Sequence, residues 1–201
     1  MIKAITFDLD GVYFPDGKEK FLSALQDRGV PEDQARGVFL KSDEMNNQYK
    51  LGKMTNDEYW GWAANEWGLD MTPRELTELL IDGYSVDSRV EAVVKSVRNN
   101  GYKTLICSNN FPARVSGLNK RFNLFDNFDA AVFSCEVGSL KPSEAIFNEL
   151  VDRSGVEASS IVYADDDAEK LSGAKAIGIV AFVYENFDQF IGELQKLGVK
   201  L

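Results

Sequence analysis

The sequence predicts an α/β protein, a doubly wound parallel sheet interrupted after its first strand by an all-helical segment. Three observations predict it. Five short runs are continuously apolar instead of alternating, the pattern of parallel strands covered on both faces. Stretches with a helical apolar period alternate with these runs, which implies right-handed strand–helix–strand crossovers. Residues 15–85 break the alternation and hold only helix-like segments.

The first strand is expected over Lys3 to Asp8, apolar and β-branched, turning polar at its end. The others are expected at Lys103–Ser108, Ala130–Ser134, Ile161–Asp165 and Ile179–Tyr184. Val90, Val93, Val94 and Val97 form one helical stripe, with Gly101 as a stop signal. Ile146, Phe147, Leu150 and Val151 mark a second helix, opened by Pro142-Ser143. Leu171, Ala174 and Ile177 mark a third, ended by Gly178. Phe187, Phe190, Ile191, Leu194 and Leu197 mark the last. Asn186 and Gln189 stand at capping-box spacing at its start, and Gly198 at its stop. In the insert, helices are expected near 17–28, 31–50, 55–67 and 72–82, punctuated by Gly29, Pro31, Gly52, Gly68 and Pro73. Trp60, Trp62 and Trp67 all lie there and are read, with Tyr13 and Phe14, as packing residues. The expected organisation is a core of residues 1–14 and 86–201, with residues 15–85 as a separate helical unit.

Composition narrows the chemistry. At 201 residues, 44% hydrophobic and 27% charged, the chain can bury a full core. No run approaches the ~20 apolar residues of a membrane span. The first strand begins so near Met1 that no signal peptide is expected, which makes the cytoplasm the expected compartment. A net charge of −10 without a basic patch argues against nucleic acid. Cys107 and Cys135 sit in apolar contexts and are expected buried and reduced. The chain has no histidine, so Ser-His-Asp and Cys-His catalysis and most zinc sites are excluded. Catalysis here must run on carboxylates, hydroxyls, lysine and metal.

Four short segments carry that chemistry, each at or just beyond the end of an expected strand. There an open parallel sheet forms its ligand crevice. Asp8 and Asp10, at i and i+2, project to one side of an extended chain, and Gly11 permits a tight turn. One carboxylate can attack a phosphorus while the other shuttles a proton. The pair can equally be an acidic turn after a strand. A calcium loop does not fit: Glu19 falls at its twelfth position, but Val12 and Tyr13 occupy the places of an oxygen ligand and a glycine. Ser108-Asn109 offers a hydroxyl and backbone donors to a phosphate, or caps a helix. Lys141-Pro142 has no meaning by itself, but a lysine in a carboxylate-rich crevice neutralises a phosphoryl group. Asp165-Asp166-Asp167 suits Mg²⁺, although Asp167 can also serve as a helix cap.

Taken in order, these segments resemble the haloacid dehalogenase-like hydrolase superfamily. Its motifs run Asp-x-Asp-Gly, then Ser or Thr, then Lys often followed by Pro, then an acidic pair. Lys141-Pro142-Ser143-Glu144-Ala145-Ile146-Phe147 and the stretch from Asp165 to Ala174 match its later motifs, with Lys170 where asparagine is frequent. The resemblance implies a Rossmann-like core and a small helical cap. It implies Asp8 as the nucleophile that forms an aspartyl-phosphate, and Asp10 as general acid and then base. Ser108, with backbone donors near Gly11 and Asn109, would bind the phosphoryl group, and Lys141 would hold that group and Asp8 together. Mg²⁺ would be held by Asp8, the carbonyl of Asp10 and the acidic pair, chiefly Asp166 and less certainly Asp165. Asp10 favours phosphorus chemistry, because the dehalogenases lack that aspartate. The expected activity is a Mg²⁺-dependent phosphatase acting on a small phosphorylated metabolite. The alternatives are a phosphomutase and a non-catalytic phospho-ligand binder. Lys53, after Gly52, is a candidate to reach the substrate from the cap.

Overall fold

The structure, a computed structural model, describes residues 1–201. Strand β1 (Ala4–Phe7) leads into the helical segment: α1 (Gly17–Gln26), α2 (Glu32–Arg36), α3 (Asn56–Trp67) and α4 (Pro73–Asp82). The chain returns through α5 (Ser88–Asn99) to β2 (Lys103–Ser108), then α6 (Pro112–Phe122), β3 (Ala130–Phe133), the single turn α7 (Ser134–Val137) and α8 (Glu144–Ser154). It ends with β4 (Ile161–Asp165), α9 (Ser172–Ala176), β5 (Val180–Val183) and α10 (Phe187–Lys196). No helix is long and apolar enough to cross a membrane.

All strand pairs are parallel and the sheet order is β3-β2-β1-β4-β5. The chain winds outward from β1 through β2 to β3, then returns to β4 on the other side of β1. The order therefore reverses between β1 and β4, where an open parallel sheet leaves its ligand crevice. Phe7 is in register with both Ile106 and Ala164, so Asp8, Ser108 and Asp165 emerge at the same edge.

Successive side chains of a strand face opposite ways. Ile5 and Phe7 enter a large cluster that also holds α5, α10 and the helical segment, while Ala4 enters a smaller one with α8 and α9. Both faces are covered, which explains the continuous apolar runs. The edge strand β5 is only half-buried along its length. Three strands are a residue or two shorter than expected: β1 lacks Lys3 and Asp8, β3 gives up Ser134 to the next helix, and β5 lacks Ile179 and Tyr184.

The expected helix over 31–50 is not one helix. After α2 the chain forms a π-helical turn, Gly37–Lys41, and Ser42 is extended (φ −65°, ψ 153°). A second π-helical turn, Glu44–Gln48, follows. Ser42 causes the break by bonding locally: its Oγ donates to Val38 O (2.7 Å) and accepts from Met45 N (3.1 Å). The α3 and α4 starts carry full capping boxes, Thr55 with Glu58 and Thr72 with Glu75. At α10 only half the box forms, since Asn186 accepts from Gln189 N while Gln189 Oε1 accepts from Glu185 N. Pro142 lies before the N-cap, which is Ser143, and α8 begins at Glu144. The Lys141–Pro142 bond is cis.

The tryptophans pack the insert as expected: Trp60 and Trp67 are buried and Trp62 is partly buried. Phe111, which follows β2, stacks on Tyr49 at 4.7 Å between ring centroids and meets Trp60 at 6.1 Å, tying the insert to the core. Cys107 is buried, Cys135 is partly buried, and both are free thiols.

Candidate active site

Asp8 leaves β1 directly into the crevice and is 3% exposed. Its Oδ1 accepts from Leu9 N (2.8 Å), which orients the carboxylate. The following turn is closed by Phe14 N donating to Leu9 O (2.7 Å) and Gly11 N to Phe14 O (3.0 Å). The Gly11 N–H, expected to serve a phosphate, is thus already committed within the turn. Glycine is required there for another reason: its φ is 79°, and a Cβ would overlap the Asp166 carboxyl.

Lys141 is the cation of this side. Its Nζ, fully buried, lies 3.1 Å from Asp8 Oδ1 and 2.6 Å from Asp165 Oδ2, and donates to Cys107 O (3.1 Å) and Tyr163 OH (2.8 Å). Tyr163 OH also bonds Asp165 Oδ2. One ammonium therefore serves two buried carboxylates. Burial raises Asp165, but Lys141 and Lys170 outweigh it and hold Asp165 below its ordinary range. Asp8 loses this competition: burial raises it, Lys141 only partly compensates, and the charge of Asp165 adds to the rise.

Asp10 turns to a different set of partners. Its Oδ2 lies 2.9 Å from Arg114 Nη2 and 3.0 Å from Lys18 Nζ, and its Oδ1 accepts from Tyr84 OH (3.1 Å). Burial opposes ionisation, but Arg114 and then Lys18 overcome it and hold Asp10 well below the usual carboxylate range. Arg114 is itself buried and fixed by Asn110 Oδ1 (2.6 Å), Tyr84 OH (3.1 Å) and Asn109 O (3.2 Å). A depressed folded-state pKa contributes stability above the unfolded value, about 3.9 for aspartate, and loses it as pH falls further. Asp10→Asn is therefore expected to lower Tm at neutral pH and to flatten the fall of Tm below about pH 4. Equal slopes in wild type and variant contradict this assignment.

Ser108 is buried at the end of β2. It does not cap a helix: α6 starts at Pro112 with Phe111 before it, which removes the capping alternative. Asn109 uses its side chain as a clamp, accepting from Lys141 N (2.8 Å) and donating to Lys141 O (3.2 Å). It thereby fixes the backbone that carries Lys141 into the crevice. Asp167 does cap the next turn, accepting from Glu169 N (3.0 Å).

Carboxylate oxygens of Asp8, Asp165 and Asp166 lie within 4.8 Å of one another. The set consists of hard oxygen donors and suits a hard divalent cation. Asp166 is the outermost residue of the three, but its carboxyl sits against Gly11. Burial and then the charge of Asp8 push it up to about 6. A close approach of Gly11 to Asp166, a carboxylate without an ion-pair partner, fits a bound metal. The carboxylate of Asp10 is not part of this cluster.

Arg114, Tyr84, Tyr163 and Lys18 carry no site role in the sequence reading, and Lys50 stands there only among the residues in or near the helical insert. Arg114 left one signal, an arginine on the face of α6 that buries Ala113, Val115 and Leu118. Tyr163 read as an ordinary apolar strand residue. Lys53 is exposed, whereas Lys50 is partly buried and Lys18 pairs with Asp10.

The profile of the haloacid dehalogenase-like hydrolase family matches residues 2–178. Mouse bifunctional epoxide hydrolase 2 is 23% identical over 214 residues, which cover 98% of this chain but 39% of that protein. The D-ribitol-5-phosphate phosphatase of Bacteroides thetaiotaomicron is 26% identical over 200 residues, covering 92% of this chain and 93% of the relative. A HAD family enzyme from the same bacterium superposes with a TM-score of 0.80 at 18% identity, covering 94% of this chain and 98% of that one. Its complex with magnesium and inorganic phosphate gives 0.78, covering 94% and 99%. The parallel sheet, the acidic crevice at its switch point and the match across nearly the whole length agree: the chain belongs to the haloacid dehalogenase-like hydrolase family.

Proposed function

We propose that this hydrolase is a Mg²⁺-dependent phosphatase of a small phosphorylated metabolite and works through an aspartyl-phosphate on Asp8. The observation that carries the proposal is the buried Lys141 ammonium, 3.1 Å from Asp8, beside three carboxylates close enough to share one cation. The phosphatase relative and the fold neighbour bound to magnesium and phosphate support it. Residues 15–85 act as the cap, contributing Lys18 and Lys50, and closure over a small substrate excludes bulk water.

Asp8, Asp165 and Asp166, with the carbonyl of Asp10, would hold the Mg²⁺. A divalent cation there supplies charge neutralisation for a phosphoryl oxygen. Asp8 attacks the phosphorus and the bond to the leaving oxygen breaks; that oxygen takes a proton from solvent, relayed through Asp10, which is ionised again when the step ends. Water then attacks the phosphorus while Asp10 takes its proton. The bond to Asp8 breaks, releasing phosphate and restoring the carboxylate. Arg114 and Lys18 hold Asp10 in the ionised form that this second half uses. Lys141 and Ser108 bind the phosphoryl group, and Asn109 keeps Lys141 in place.

The test is phosphate release from a panel of phosphorylated metabolites with Mg²⁺, against an EDTA control. Free phosphate that disappears with EDTA supports the proposal. An isomerised sugar phosphate without free phosphate makes the protein a mutase, and metal-independent release removes the Mg²⁺ role. Binding is checked separately by thermal shift. At ten times its Kd, Mg²⁺ stabilises by about 1.4 kcal/mol. That raises Tm by about 3–6 °C in a chain of this size. Asp166→Asn is expected to lose most of the shift, and a full shift in that variant contradicts the ligand set.

A further inference from the structure

Lys50 is a cation without a counter-charge. No carboxylate lies within ion-pair distance of it, and its Nζ has one protein acceptor, Asn46 Oδ1 at 2.8 Å. An ammonium has three donors, so two are unused. The side chain is partly buried instead of being spread into water, and the charged groups that act on it are those of the crevice. Burial first, then Arg114 and Lys18, press its ammonium down to about 7, with Asp10 opposing. Lys18 and Arg114 thus take up the carboxylate of Asp10, and Lys50 has no salt bridge of its own.

The arrangement is fixed. Asn46 donates its Nδ2 to Leu40 O (2.9 Å) and Ser42 O (3.1 Å), which leaves Oδ1 facing Lys50. The Lys50 carbonyl accepts from Ser134 Oγ (2.7 Å), and the same hydroxyl accepts from Asn110 N (3.0 Å). Gly52 (φ 71°) lets the chain lie on the Cys135 carbonyl, which a Cβ there would overlap. The backbone of Lys50 is therefore anchored where β2 and β3 end. Asn110 Nδ2, in the same cluster, is also buried without an acceptor. This corner lacks acceptors, not donors, and a partly buried, unpaired charge is costly unless something compensates it.

We propose that Lys50, positioned by Asn46, binds a second anionic group on the substrate, a carboxylate or a further phosphate on its leaving-group portion. This rests on the phosphatase reading above. The side is set by geometry: the Lys50 carbonyl meets Ser134, Ser134 meets Asn110, and Asn110 holds Arg114 on Asp10, while Lys141 serves Asp8. The preferred substrates are thus phosphomonoesters carrying a second negative charge, not simple alcohol or neutral sugar phosphates.

The test compares matched pairs: a glycerol phosphate against a phosphoglycerate for a carboxylate, and a sugar monophosphate against its bisphosphate for a second phosphate. The wild type is expected to favour the doubly charged member of at least one pair by about 10-fold or more in kcat/KM, mainly through KM. Which pair shows the preference identifies the anion. In Lys50→Met the ratio is expected to fall to near 1, and in Lys50→Arg to be largely kept. Matching circular dichroism and Tm exclude unfolding as the cause. A wild-type ratio near 1 in both pairs, or a Lys50→Met loss equal for both members, overturns the inference while the phosphatase reading stands. Release of phosphate from no member of any pair by the wild type removes that reading, and this inference with it.

Discussion

Asp8→Asn is expected to lower phosphate release on the order of 10⁴-fold or more, because the amide keeps the shape of the side chain but is a poor nucleophile. The same change is expected to leave metal-free stability intact or to increase it. Asp8 is raised because burial and the neighbouring Asp165 charge outweigh its share of Lys141. A carboxyl whose folded-state pKa is raised adds nothing unfavourable below its unfolded value, and it costs stability as pH rises past that value. At neutral pH the ionised Asp8 is thus a burden that the asparagine removes, leaving Lys141 to Asp165 alone. Activity from single-turnover assays and Tm in EDTA check the two halves. Activity within 10-fold of wild type removes Asp8 as nucleophile, and a large fall in Tm shows that Lys141 depends on Asp8 more than the geometry indicates.

Lys141→Met is expected to have the largest effect on stability. The lysine is buried between Asp8 and Asp165, with Cys107 O and Tyr163 OH as its other partners. Methionine fills much of the space but leaves two buried carboxylates without their shared cation. Breaking such a group typically costs about 3–5 kcal/mol. For a chain of this length that lowers Tm by about 6–20 °C. Mg²⁺ is expected to restore part of the loss, because it replaces one positive charge with another beside the same carboxylates. Asp165→Asn added to Lys141→Met should also recover stability, since the two residues are in contact and their effects do not add. Thermal melts with and without Mg²⁺ decide the matter. A Tm within about 2 °C of wild type shows that these carboxylates do not need Lys141. Phosphate release is expected to fall about 10²–10³-fold as well, the usual cost of losing one preorganised charge at the reacting group.

Much of this protein was legible in one dimension because the signals are local or periodic. Continuous apolar runs mark β2 and β4 at the residues where they occur, since both faces of a central strand are covered. The ends of those runs mark the crevice, which makes Asp8, Ser108, Lys141, Asp165 and Asp166 candidates from the sequence alone. The break in 31–50 was missed because Ser42 ends the helix with its own hydroxyl, a competition that apolar periodicity does not register. The commitment of the Gly11 N–H to Phe14 O was equally hidden, because it depends on how the turn closes.

What the sequence determined by itself is therefore the class of fold, the order of its elements and the set of acids and lysine gathered at one sheet edge. Only the tertiary structure decided how those charges are shared. Asp8 and Asp10, two residues apart, face different cations: Lys141, which arrives from the loop before α8, and Arg114 and Lys18, which arrive from α6 and α1. Lys50, not Lys53, is the partly buried lysine of the insert, bonded to Asn46 but without a counter-charge. The physical reason is range. Secondary structure follows from neighbours a few residues apart, whereas the ionisation of a buried group follows from burial and from charges a few ångströms away, which the chain brings together from distant positions.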